Sequence, residues 1–207
     1  MRIAREGYRI IAVPALVTLA AAALGWMWAA VAFALITLAV AAFFRDPDRT
    51  PPKGDGLILA PADGRIVEIL DVDEPGGGRR TRLSIFMSPL DVHVNRSPVA
   101  GRVQEIEYQK GRFMPAYKED CSESNERNAL TLVDNQSRAV KVVQIAGVLA
   151  RRIVCRVRPG DRLEAGARFG IIMFGSRVDV HFPPGAKITA ARGQHVTGGE
   201  TILGQTP

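Results

Sequence analysis

Cysteine is nearly absent from this 207-residue chain: Cys121 and Cys155 are the only two, and they sit in unlike contexts. That excludes a disulfide framework and a cysteine metal spacing, and it agrees with a reducing compartment. Histidine is scarce too, with His93, His181 and His195, and no metal cluster is expected. Aromatic residues make up 6% of the chain, and no dense basic stripe interleaves with them, so nucleic acid is not expected as a partner. Charge is missing altogether from Ile10 to Phe44. Beyond residue 56 no ten-residue run has the period of an amphipathic helix, which argues against a helical head.

The uncharged run would reach about 52 Å as one helix at 1.5 Å per residue, and roughly 20 residues suffice to span a bilayer. Gly25, just before Trp26-Met27-Trp28, is a natural break, so two helices of roughly 17 residues are expected within a hydrophobic membrane-anchoring hairpin over 1–45. A signal peptide has a much shorter apolar region, about 7–15 residues, and a buried hairpin in a soluble core would show a polar face. Arg2, Arg5 and Arg9 precede the run, and Arg45, Arg49 and Lys53 follow it. Positive charge on both flanks predicts that both ends face the cytoplasm, with the head on that side of the cell membrane. The net charge of +6 is mild and suits an anionic lipid surface.

Residues 46–56, rich in proline and glycine, read as a linker. From 57 to 207 the character changes to short β-branched, alternating runs: 57–60, 64–70, 81–86, 101–108, 129–133, 140–145 and 153–157. Turn signals at 75–78, 134–135 and 159–161 separate them. The pattern predicts a mainly β head, a sandwich or barrel, with a short helical or irregular piece near 113–125. Gly160-Asp-Arg-Leu-Glu-Ala-Gly166 and Gly198-Gly-Glu-Thr-Ile-Leu-Gly204 resemble the hairpin turns of biotinyl and lipoyl carrier domains. The carrier lysine of those domains is missing.

Gly175-Ser176 interrupts a run that otherwise reads as a buried strand. A serine hydroxyl beside an unshielded glycine carbonyl is suited to attack its own backbone, which would cut the chain and let Ser176 become a pyruvoyl group. Such a reaction needs a base. His93 lies in Met87-Ser-Pro-Leu-Asp-Val-His-Val-Asn-Arg-Ser-Pro98, where Asn95, Arg96 and Ser97 form polar company unusual for a plain strand. Asp63, in Pro61-Ala-Asp-Gly64, reads either as a turn residue or as the acid that fixes the tautomer of His93. His181 alternates as a strand residue, and His195 carries no pattern.

Taken in order, Pro-Ala-Asp-Gly, Ser-Pro-Leu-Asp-Val-His-Val-Asn-Arg-Ser-Pro, Asn125-Glu-Arg-Asn128, Gln144-Ile-Ala-Gly147, Ala150-Arg-Arg-Ile153 and Phe-Gly-Ser-Arg177 resemble the short-type phosphatidylserine decarboxylase proenzymes over about 55–204. The resemblance implies self-cleavage between Gly175 and Ser176, with His93 as general base and Asp63 orienting it. Two chains, 1–175 and 176–207, would stay together. The pyruvoyl group derived from Ser176 would condense with the serine amine of phosphatidylserine, in an anionic membrane, as a Schiff base and release carbon dioxide. Phosphatidylethanolamine would be the product. Arg177, Asn95 and Arg96 are candidate headgroup ligands, and a homodimer is a further possibility. Long-type members carry another histidine three residues before that of the triad, where this chain has Leu90, so the group that protonates the carbanion stays open; His93 serving twice is one option. The competing reading is a membrane-anchored, non-catalytic adaptor with a carrier-like β-sandwich.

Overall fold

The structure is a computed structural model that describes residues 2–73, 79–114, 121–147, 152–173 and 176–207. It divides into two compact units, 1–48 and 49–207. In the first, β1 (Arg2–Ile3), α1 (Arg5–Ala23), α2 (Met27–Phe43) and β2 (Arg45–Asp46) follow one another. The alanine-rich sequence favours helix, and Gly25, at φ +78°, takes the left-handed turn between the two. Antiparallel pairing of Arg2 with Asp46 and Ile3 with Arg45 closes the base, so the helices run out and back. Their large apolar side chains are strongly exposed, Trp28 at 90% and Leu19 at 67%. α1 is long and apolar enough to cross a membrane, and the shorter α2 is likewise apolar.

The second unit is mainly β. Its elements are β3 (Leu57–Leu59), β4 (Gly64–Asp73), β5 (Arg79–Met87), β6 (Val94–Arg96), β7 (Gly101–Gln109), α3 (Cys121–Ser124), β8 (Arg127–Val133), β9 (Ala139–Ile145), β10 (Ile153–Cys155), β11 (Arg162–Leu163), β12 (Arg168–Ile172), β13 (Ser176–His181), β14 (Lys187–Ile188), β15 (His195–Val196) and β16 (Ile202–Gln205). One sheet of eight strands, in the order β11-β7-β8-β9-β13-β5-β4-β15, curls into a half-barrel. Two three-stranded sheets, β10-β12-β6 and β14-β16-β3, complete the unit.

Period-two alternation builds the core. Leu83, Ile85 and Met87 of β5 pair in register with Val180, Val178 and Ser176 of β13. Those apolar residues are fully buried, together with Leu130, Leu132, Val140 and Val142. The stretch expected as a linker is tied down at its second half. The Thr50 N–H donates to Glu200 Oε1 at 3.0 Å, and a Cβ at Gly166 would strike Pro51. The expected turn at 75–78 and residues 115–120 of the irregular piece near 113–125 lie outside the described residues.

Candidate functional site

The site forms where two chain segments cross from one sheet to another. β5 of the large sheet ends at Met87, and β6 of the small sheet starts at Val94. β12 of the same small sheet ends at Ile172, and β13 of the large sheet starts at Ser176. The ends of the two crossings meet: the Ile172 N–H donates to the His93 carbonyl at 3.3 Å, and Ser176 pairs with Met87. The first crossing is shaped by a turn over Ser88–Asp91 with proline at its second position, which presets φ. The Asp91 N–H donates to the Ser88 carbonyl at 2.9 Å. The Ser88 N–H donates to Asp91 Oδ2 at 2.8 Å.

His93 is fully buried. Its Nδ1 lies 2.9 Å from the Asp91 carbonyl. A carbonyl only accepts, so Nδ1 carries the proton, and in the neutral ring Nε2 holds the basic lone pair. The other oxygen of Asp91, Oδ1, lies 3.2 Å from Nε2 of His195, an exposed histidine.

Asp63 Oδ2 accepts from Arg49 Nη2 at 2.7 Å. Its Oδ1 accepts from the Gly198 N–H at 2.7 Å. Burial pushes this carboxyl above the ordinary aspartate value, with the nearby Asp91 adding to the shift; the Gly198 N–H and Arg49 hold it back. The close partner of His93 Nδ1 is thus the Asp91 carbonyl, while Asp63 is bonded to Arg49 and to the Gly198 N–H.

Ser176 opens β13 with its side chain on the core face, fully buried, and its Oγ donates to Met87 Sδ at 3.4 Å. Asn95 Nδ2 approaches the same sulfur at 3.9 Å. Arg96, also buried, turns elsewhere: its Nη1 donates to the Gly166 carbonyl at 3.0 Å, and its Cδ would touch a Cβ at Gly199. Leu90 is 83% exposed on the turn.

Arg177 follows Ser176 and so points to the opposite face of β13. It is 1% exposed, and its guanidinium is gripped. Nε donates to Asp179 Oδ1 at 2.7 Å, and Nη2 donates to Glu68 Oε2 at 2.7 Å and to Ser84 Oγ. Arg82 Nη2 shares Glu68 Oε2 at 2.8 Å, and Ser122 Oγ donates to Asp179 Oδ2 at 2.8 Å. Two arginines and two carboxylates form one cluster, buried at Arg177 and Asp179 and partly exposed at Arg82 and Glu68.

The structure therefore gathers Ser176, Asn95 and the His93 segment at one crossing, carries the Arg177 guanidinium to the far face, and sets Asp63 in an ion pair beside the site. Gly175 lies outside the described residues. The sequence assigned no role to Met87 or Asp91, and His195 carried no pattern there. Only Asp91 carried a local signal, the Ser-Pro-x-Asp turn.

The sequence profile of the family described as "Phosphatidylserine decarboxylase" matches residues 36–204. A protein of Granulibacter bethesdensis named "Phosphatidylserine decarboxylase proenzyme" is 50% identical over 86% of this chain and 73% of its own length. Proteins of the same name from Symbiobacterium thermophilum and Nitrosomonas eutropha are 47% and 46% identical; the alignments cover 99% and 98% of this chain and 96% and 94% of theirs. With a profile match over most of its length and relatives this similar end to end, the chain belongs to the phosphatidylserine decarboxylase family.

Proposed function

We propose that the chain is a self-processing, pyruvoyl-dependent decarboxylase that converts phosphatidylserine to phosphatidylethanolamine and carbon dioxide at the cytoplasmic face of the cell membrane. One observation carries the reading: the Ser176 hydroxyl is buried at the first residue of a strand, at the crossing that also holds His93. A hydroxyl left there merely to pack would be a poor use of a core position.

In maturation, His93 Nε2 takes the Ser176 hydroxyl proton. The oxygen adds to the Gly175 carbonyl carbon, and the peptide nitrogen leaves with a proton, giving an ester. Loss of the Ser176 Cα proton expels the Gly175 carboxylate. The remaining dehydroalanine takes up water, loses ammonia and ends as a pyruvoyl group. The Asp91 carbonyl fixes the tautomer that leaves Nε2 basic. The Asp63 carboxylate, held by Arg49 and the Gly198 N–H, would favour the charged imidazolium through its charge alone, since Nδ1 already donates to the Asp91 carbonyl. The proposed boundaries are a membrane hairpin over 1–45, a connector over 46–56 and a catalytic head over 57–207, cut into 1–175 and 176–207.

Position 176 suits a pyruvoyl group, because its side chain faces a closed apolar interior with amide groups close by. Such a group supplies an electrophilic ketone for the substrate amine and accepts the electron pair as carbon dioxide leaves. The chain's own part is to bury it, hold it at the end of β13 and keep His93 within the same crossing. The exposed apolar faces of α1 and α2 support delivery at a lipid surface.

Ser176→Ala tests the reading. The expected result is one uncut 207-residue chain without decarboxylase activity; a variant that still splits overturns the mechanism.

A further inference from the structure

We infer that His195 is a positioning residue for His93, acting through Asp91; the inference rests on the self-cleavage proposed above. Asp91 is the joint between the two histidines. Its backbone carbonyl accepts from His93 Nδ1 at 2.9 Å. Its Oδ1 lies 3.2 Å from His195 Nε2. A carboxylate only accepts, so His195 Nε2 carries a proton and donates it. One residue thus holds a fully buried base with its backbone and an exposed ring with its side chain.

The two ends of this joint are fixed unequally. His195 stands on a strand that is tied on both sides. β15 pairs with β4, with His195 opposite Arg65 and Val196 opposite Gly64, and Val196 is fully buried. The Gly193 N–H donates to the Ile66 carbonyl at 2.7 Å, and the Ile66 N–H donates to the Gln194 carbonyl at 2.9 Å. Asp91, in contrast, lies on the Ser88–Asp91 turn between β5 and β6. Two further bonds of Asp91 stay within that turn: its N–H to the Ser88 carbonyl, and the Ser88 N–H to its Oδ2. They fix the shape of the turn and not its place. Among the described residues, the His195 bond is the one that reaches the Asp91 side chain from another element. The register explains why it can. His195, Arg65 and Phe86 stand in one row across β15, β4 and β5, and the turn begins two residues after Phe86.

A rigid strand edge therefore sets the position of the carbonyl that selects the His93 tautomer. An exposed pair of this kind contributes little to stability, so its effect should fall on geometry and not on folding. A base depends strongly on geometry: a misplacement of about 1 Å can cost about 10²-fold in rate. The proposed cut falls between the two histidines. His93 would stay in 1–175 and His195 would go with 176–207, so the smaller chain keeps its hold on the base after the chain is split.

The test uses the full chain in detergent. The His93 tautomer is read from imidazole ¹⁵N shifts at pH 8 in the Ser176→Ala precursor, with His93→Gln to assign the signals. Nδ1 should carry the proton. Adding His195→Leu should bring in a visible share of the Nε2–H form. Adding His195→Gln instead, which keeps an N–H donor, should restore the Nδ1–H form. Thermal melts of the three chains should coincide. Cleavage is then followed by denaturing gel on precursor with Ser176 intact, made by cell-free synthesis. His195→Leu should slow it about 10-fold, less than a full 1 Å misplacement would. His195→Gln should cut at close to the rate of the unsubstituted chain. Asp91→Asn with His195→Leu should be little slower than Asp91→Asn alone. An unchanged tautomer in His195→Leu, wild-type cleavage in that variant, or failure of His195→Gln to restore either one overturns the inference. The tautomer needs no cleavage to be read, so the two readings fail separately: splitting of Ser176→Ala removes the self-cleavage itself, whereas unchanged shifts remove only the positioning.

Discussion

The two faces of β13 carry opposite solutions to burial. On the inner face Ser176, Val178 and Val180 meet Met87, Ile85 and Leu83, and polarity is confined to a hydroxyl and nearby amides. On the outer face Arg177 and Asp179 are almost as dry, at 1% each, yet they are charged and paired with Glu68 and Arg82. The ion cluster outside locks the start of the strand where a cut would create a new chain end. The proposed chemistry sits on one face, and the ion cluster on the other begins one residue along.

Breaking the inner face should give the largest effects. Ser176→Ala should abolish the cut completely. His93→Ala should slow cleavage about 10²–10⁴-fold at neutral pH, the usual worth of a positioned base; time courses of precursor loss by gel check this, and normal maturation would take His93 out of the base role.

The outer face should fail differently. Arg177→Met leaves the buried Asp179 and the partly buried Glu68 with one cation fewer. Removing one partner of a buried ion pair costs about 3–5 kcal/mol. Denaturant unfolding of the uncut Ser176→Ala chain, with and without Arg177→Met, measures that cost free of any cleavage. In the active background Arg177→Met should still cut, and the fragment 176–207 should separate from 1–175 more readily. A variant as stable as its parent but unable to cut would assign Arg177 to the chemistry.

Smaller effects come from the flanks. Burial raises the Asp63 carboxyl, so the folded chain binds that proton more tightly than the unfolded chain. Its contribution is therefore full below the ordinary value of 3.8 and is lost as pH rises through the folded value. The stability gap between wild type and Asp63→Asn should narrow or reverse as pH rises from about 4. Asp134 behaves in the opposite sense. Desolvation raises it, but N–H donors of Arg138 and Gln136 together with the Arg138 charge outweigh that and lower it. Its small contribution is present above 3.8 and lost as pH falls through the folded value, so Asp134→Asn should matter least, and only above that window. Thermal melts across pH check both.

The strands were legible wherever β-branched alternation met turn residues: runs at 57–60, 64–70, 101–108 and 140–145 become β3, β4, β7 and β9. The helical pair was legible from the uncharged run and Gly25. The side of Arg177 follows from alternation with Ser176 and Val178, once the strand is known to begin at Ser176. The partners of the site were not legible. His195 reaches Asp91 across 104 residues, and Gln144 reaches Asn95 across 49. Neither distance has a period, because sheet crossing and not local spacing creates the contact. The Asp91 carbonyl on His93 is a backbone acceptor, which side-chain motifs do not announce.

The most direct measurement is the intact mass of the purified protein under denaturing conditions. The account predicts two species, 1–175 and 176–207, the second blocked at its N-terminus by a keto acyl group that reacts with hydroxylamine. A fully active preparation consisting of a single unbroken 207-residue chain would contradict it.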